Sequence, residues 1–173
     1  MEPGFGFRRH AWKRARADLL PTLPLQVVRI HMARARRLGL DYRAYASFRA
    51  TAGRDIVAFL FSGNALRLAP AQSIIPPDIA HKVRNLPAGR IAGVYAPTLP
   101  DAVQDENPFL TRTGRAPGFT TSWADARDHV QRLMGDTPHK GILLVAATDV
   151  EREWCAMGRM GGMLSADRFF AAL

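Results

Sequence analysis

The distribution of apolar and polar positions divides the chain into short buried runs separated by amphipathic stretches. Ile142–Ala147 is a bounded apolar run rich in branched residues, the pattern of a strand buried on both faces. It leads into Thr148-Asp149-Val150-Glu151, a capping-box pattern that starts a helix, in which the Thr148 hydroxyl accepts a backbone N–H and the Glu151 carboxylate reaches back to another. Asp55–Phe61 (DIVAFLF) and Arg90–Ala96 (RIAGVYA) predict two further strands, the latter weakened by Gly93. Helices are expected over Leu25–Leu38, closed by Gly39, over Tyr42–Ala52 behind the cap Asp41, and over Pro77–Leu86. Ser122 with Asp125 starts another helix that buries Ala126, Val130 and Leu133 and stops at Gly135. Beyond Thr148 the helix places Trp154 and Met157 on its buried side, Gly158, Gly161 and Gly162 interrupt, and Ser165 caps a last turn ending in Phe169-Phe170.

Strands followed by helices, with connections long enough for crossovers, predict an α/β fold. The expectation is three or more mainly parallel strands (55–61, 90–96, 142–147) with helices on both faces, Rossmann-like, plus a basic N-terminal helical extension. Residues 1–54 form that extension and residues 55–173 the α/β domain. In the first helix Leu25, Val28, Met32 and Ala35 make one stripe while Val27 and Ile30 lie opposite, as in a helix packed between neighbours. Two segments admit more than one structure. Ser62-Gly63-Asn64 turns a hairpin into an antiparallel Ala65–Leu68, or it is the crossing loop at a strand's carboxyl end. Pro97–Thr121 lacks periodicity and carries four prolines, which reads as a structureless lid or binding loop.

Charge changes the picture more than composition does. The chain of 173 residues has a net charge of +9, and 47% apolar residues are enough for a real core. Residues 1–54 hold twelve Lys/Arg against Glu2, Asp18 and Asp41, whereas residues 55–173 balance twelve against twelve. The excess therefore sits in the first third and points to an anionic partner. Phe5, Phe7 and Trp12 alternate with Arg8, Arg9, Lys13, Arg14 and Arg16, a pattern suited to stacking on bases while the charges meet phosphates. The same segment also suits a basic amphipathic anchor at a membrane surface, or a tail packed on the domain with its arginines solvated. The two helices around Leu38-Gly39-Leu40 have helix-turn-helix spacing, with Arg36 and Arg37 closing the first and Arg43 and Arg49 on the second.

Candidate chemistry is sparse. Asp149, Glu151 and Glu153 crowd the helix start after Ala147, where a dinucleotide site would need glycines and would be repelled by carboxylates, so no cofactor is expected there. Asp149 with Asp55 or another strand-end acid has the charge to hold a divalent cation, the alternative being helix capping, but no residue spacing specifies a metal site. His129, near Asp125 and Asp128, has the arrangement of a carboxylate-oriented base or of a solvated surface histidine. Cys155, the one cysteine, excludes an internal disulfide and fits an inert buried thiol. No apolar run reaches membrane-spanning length and the basic N-terminus lacks the apolar core of a secretory signal, so a cytoplasmic setting is expected. Two functions follow. One is a non-enzymatic, nucleic-acid-associated binding protein gripping phosphates through Arg8, Arg9, Lys13, Arg14, Arg16, Arg36, Arg37, Arg43 and Arg49. The other is a small α/β enzyme or ligand-binding domain with a pocket at Ser62, Gly63, Asn64, Thr148 and Asp149, under the 97–121 loop.

Overall fold

The computed structural model describes residues 23–171. Five parallel strands form one sheet in the order β3-β2-β1-β4-β5. They are β1 (Ala58–Ser62), β2 (Gly89–Val94), β3 (Arg112–Arg115), β4 (Ile142–Ala146) and β5 (Gly162–Ser165). The helices are α1 (Leu25–Arg37), α2 (Tyr42–Ala52), α3 (Pro77–Arg84), α4 (Pro100–Glu106), α5 (Trp123–Met134), α6 (Asp149–Met157) and α7 (Ala166–Ala171). This is an α/β, Rossmann-like arrangement. Ala58 of β1 lies in register with Gly89 on one side and Ile142 on the other, which makes β1 the central strand. From β1 the chain runs outward through β2 to β3, then jumps back over the sheet to β4 and continues to β5.

A parallel sheet covered on both faces needs apolar side chains on both, which is why β1 and β4 read as unbroken apolar runs. Phe59, Phe61, Ala92, Val94, Leu143 and Val145 enter one core with Tyr45 and Phe48 of α2, Ile79 and Val83 of α3, Val103 of α4 and Phe169 of α7. The alternate residues Ala58, Leu60, Ile91, Ile142 and Leu144 enter the other, with Val130 and Leu133 of α5 and Trp154 and Met157 of α6. Helices α3 and α4 carry the outward crossovers on one face, and α5 and α6 carry the return ones on the opposite face. Reversal of travel with a change of face keeps one hand for every crossover, the right hand being nearly universal.

Several expectations are corrected by this architecture. Pro97–Thr121 is not structureless: it contains α4 and the edge strand β3, with irregular residues confined to the short stretches 97–99, 107–111 and 116–121. Ser62-Gly63-Asn64 is a crossing loop, and Ala65–Leu68 continues as turns rather than as an antiparallel strand. Among the described residues nothing encloses helix α1 on two sides: only Ala35 of it is buried, and Leu25 and Ile30 are each 66% exposed. Gly93 does not weaken β2. A Cβ there would stand 3.1 Å from the Trp154 ring and 3.3 Å from Leu133, so the glycine lets α5 and α6 settle onto the strand. The Asp55–Asp149 cation site is also excluded, because Asp55 precedes β1 and Asp149 follows β4, at opposite ends of parallel neighbours.

Asp55 instead fastens the α1–α2 hairpin to the sheet. Its carboxylate accepts Arg34 Nε of α1 at 2.9 Å, the Tyr45 hydroxyl of α2 at 2.9 Å and the Ile56 amide at 2.8 Å, while Arg34 also donates to the Ile56 carbonyl at 3.1 Å. Burial raises the Asp55 pKa, but the hydrogen bonds from Tyr45, Ile56 and Arg34 together outweigh it and hold the carboxyl below its ordinary value. Tyr45, desolvated and bonded to that carboxylate, is pushed up to about 12.

A carboxyl whose folded pKa is depressed contributes its full stability above its unfolded pKa, near pH 4, and loses it as pH falls through the folded value. Stability of the wild-type protein should therefore fall below about pH 4 more steeply than that of Asp55→Asn. The variant should also be weaker at neutral pH by about 1–3 kcal/mol, because Arg34 loses its counter-ion. Urea denaturation across the acid range measures both. Parallel curves for the two proteins would mean that the clamp does not carry the hairpin.

Candidate functional site

The carboxyl ends of β1, β2 and β4 meet at the topological switch point, where open α/β sheets ordinarily receive a ligand. Here the donors at the strand ends are engaged by a side chain of the protein, beside a concavity of about 390 Å³ lined by Asn64, Ala65, Ala147 and Ala166. Glu151 is the third residue of α6, and it is 0% exposed. Its Oε2 accepts the Ser62 hydroxyl at 2.7 Å and the Ala147 and Thr148 amides at 2.8 and 3.0 Å. Its Oε1 accepts Asn64 Nδ2 at 2.8 Å and the Tyr95 hydroxyl at 2.9 Å. The Thr148 hydroxyl completes the capping box by accepting the Glu151 amide at 3.3 Å. A carboxylate in this place is stabilised by the helix dipole and by charge-assisted donors, as a bound anion would be. Burial, then the charge of Glu151 and the bond to it, raise the Tyr95 phenol far above its ordinary value, so Tyr95 stays a donor.

This arrangement settles where the sequence-derived ligand residues lie. Ser62, Asn64 and Thr148 converge, but on Glu151. Ser62 is fully buried with its hydroxyl engaged, so it cannot act as a nucleophile. Asp149 is almost fully exposed and pairs with Arg152 at 2.9 Å. Gly63 and Asn64 also line a pocket of about 180 Å³ on the β2 side of the switch point, with Tyr95, Thr98 and Phe119. A Cβ at Gly63 would stand 3.1 Å from the Gly93 carbonyl and 3.3 Å from the Tyr95 ring, so glycine is what allows the loop to lie against β2. Phe119, from the irregular 116–121 segment, stacks on Tyr95 with centroids 5.5 Å apart and planes within 7°.

The basic candidates fall into two groups. Arg8, Arg9, Lys13, Arg14 and Arg16 lie outside the described residues. Arg36, Arg37, Arg43 and Arg49 lie on the α1–α2 hairpin and, with Arg29 and Arg54, make no ion pair among the described residues. On α2, Arg43, Ser47 and Thr51 follow one another at four-residue intervals along one side. They line a concavity of about 310 Å³ beside β5, together with Arg168 of α7, which also pairs with Asp41 at 3.1 Å.

Other candidates resolve simply. The Nδ1 of His129 is buried and meets no hydrogen-bond partner, while the Asp125 carboxylate accepts the Ser122 hydroxyl at 2.7 Å; the carboxylate-oriented base is not formed. Burial raises the Cys155 thiol, as expected of an inert cysteine. Among the described residues no group of three His, Cys, Asp or Glu could hold a metal ion, and no helix is long and apolar enough to cross a membrane. Sequence reading missed Tyr95, Phe119, Ser47, Thr51 and Arg168. Tyr95 had a usable signal, since it immediately follows a strand's carboxyl end. Arg168 had none, because only the docking of α7 beside α2 brings it to the concavity.

Glu151→Gln keeps the shape but places an amide NH₂ where a carboxylate oxygen met donors. It should lower stability by about 1–3 kcal/mol, the cost of leaving buried donors unsatisfied. Thr148→Ala, which removes only the cap, should cost about 0.5–2 kcal/mol. Chemical denaturation of both variants measures the difference. A Glu151→Gln protein as stable as wild type would show that the five-donor cluster is not what joins the strand ends.

No protein-family model matches the chain, and comparisons with curated proteins and with solved structures give no match.

Proposed function

We propose that this chain is a non-enzymatic binding protein for nucleic acid, which it grips by the phosphate backbone through its basic first third. The observation that carries the reading is the Arg43–Ser47–Thr51 stripe facing the same concavity as Arg168. Guanidinium groups bind phosphate oxygens bidentately, and hydroxyl groups supply the neutral donors common at phosphate contacts. The Thr51 hydroxyl is engaged with the Ser47 carbonyl at 3.0 Å and one nitrogen of Arg168 with Asp41 at 3.1 Å, which leaves Arg43, Ser47 and the remaining N–H groups of Arg168 as donors at the concavity. Arg36, Arg37 and Arg49 extend the basic surface along the hairpin, and Arg8, Arg9, Lys13, Arg14 and Arg16 add five further charges in the preceding segment. The Asp55 clamp favours the same reading, because it holds the hairpin rigidly on the sheet and consumes only Arg34 of its arginines. The switch point weighs against catalysis there: the donors that this fold would offer a substrate are engaged by Glu151.

Binding of fluorescently labelled duplex and single-stranded DNA should weaken steeply with salt. The log–log slope is expected near −0.9 per phosphate contact on duplex and near −0.7 on single strands. Arg43→Glu and Arg168→Glu should each weaken binding on all sequences alike and flatten the slope by about one contact. Absence of binding at low salt, or unchanged slopes in both variants, would refute the proposal. Tight binding to anionic vesicles without binding to DNA or RNA would assign the basic third to a membrane surface instead.

A further inference from the structure

The pocket between the Gly63-Asn64 loop and the end of β2 is separate from the basic hairpin, and its chemistry is different. No charged side chain lines it; its walls are Gly63, Asn64, Leu68, Tyr95, Thr98 and Phe119, with residues 69, 70, 94 and 96 between them. From these features we infer that the pocket binds a neutral, planar heteroaromatic ring of nucleobase size.

Size comes first. An apolar protein cavity of about 150 Å³ holds one benzene ring, so a pocket of about 180 Å³ takes a single flat ring system and little else. Shape comes next. The Tyr95 ring forms a fixed wall, because its hydroxyl is held at 2.9 Å by Glu151 and one flank leans on Trp154 at 6.1 Å. Glu151 therefore has a second consequence beyond joining the strand ends: it locks an aromatic platform beside them. Phe119 supplies a second ring on a segment without regular structure, and at 68% exposed it is a costly phenylalanine to leave in water with Tyr95 as its stacking partner. Rings with sequence-tolerant π-faces are how proteins hold bases. Polarity comes last. Asn64 lines the pocket and donates through Nδ2 to Glu151, and its side-chain carbonyl is an acceptor suited to a ring bearing an N–H donor.

A base could arrive free, as a nucleoside, or splayed out of a single strand gripped by the hairpin, and the chemistry at the pocket is the same. The probe is 2-aminopurine, whose emission is quenched when it stacks on aromatic rings. It is supplied to the full chain in two forms, as the riboside and as one base within a short thymidine oligonucleotide. Saturable quenching by the riboside would identify a free small molecule as the source, and saturable quenching only within the oligonucleotide would identify a strand; either supports the pocket. Phe119→Ala should weaken that binding by roughly five- to hundredfold, the range expected for one lost base stack. Ala69→Phe, a substitution in the half-buried loop lining the pocket, should fill it and abolish quenching. Arg43→Glu should leave riboside quenching unchanged, which keeps this test separate from that of the hairpin. Wild-type protein that gives no saturable quenching of either probe overturns the inference. So does a Phe119→Ala protein that binds as tightly as wild type, and that variant, altered only at an exposed side chain, decides the matter if Ala69→Phe fails to fold.

Discussion

One buried carboxylate organises the middle of this protein. Glu151 collects donors from β1, β2 and the β4–α6 turn, and two of them, Ser62 and Tyr95, lie 89 and 56 residues away in the chain. A charge removed from water is costly unless its lone pairs are met, and here five donors meet them while the amino end of α6 adds its dipole. Individually such bonds contribute little beyond the cost of desolvation. Their asymmetry matters more, because the loss of the carboxylate would strand every donor at once. The cluster also specifies position. With one side chain bonded to three strand ends, the sheet has few alternative ways to bring β1, β2 and β4 together.

That constraint divides the molecule into regions with different capacities. At the switch point the strand-end donors are engaged by Glu151, although a concavity of about 390 Å³ lined by Asn64, Ala65, Ala147 and Ala166 lies beside them. On the β2 side, the same carboxylate steadies Tyr95, and with it the aromatic wall of a small neutral pocket. Most of the unbalanced charge lies elsewhere, on a helical hairpin that Asp55 anchors to the opposite end of the sheet. Lys82 shows how rarely a cation enters the core: it lies buried over the Phe169 ring, donates to the Phe169 carbonyl, and has its pKa lowered by desolvation. Of the hairpin arginines Arg29, Arg36, Arg37, Arg43 and Arg54 are exposed, whereas Arg34 and Arg49 are half-buried.

The central strands were legible because their burial on both faces leaves an unambiguous apolar run, as in AFLFS and ILLVA. The capping box at Thr148–Glu151 was legible because it is local. Both edge strands were invisible. RTGR and GMLS are short, pair on one side only and need no apolar continuity, so β3 was absorbed into a supposed loop and β5 into a glycine interruption. The site was half legible. Ser62, Asn64 and Thr148 were correctly placed at strand ends, but a partner on α6 that occupies all three cannot be read from spacing alone. Gly93 misled for a similar reason: its effect depends on Trp154, which is remote in sequence and touches it in space.

Amide hydrogen exchange at Ala147 tests the central role of Glu151 most directly. Ala147 is an exposed residue in a strand-to-helix turn, where amides ordinarily exchange at nearly the rate of an open loop. Its N–H, however, is bonded to Glu151 Oε2 at 2.8 Å. If the carboxylate holds the strand ends together as described, the Ala147 and Thr148 amides should exchange only on global unfolding, as slowly as the amides of β1 and β4. Exchange of both at the rate of an unprotected turn would contradict the account.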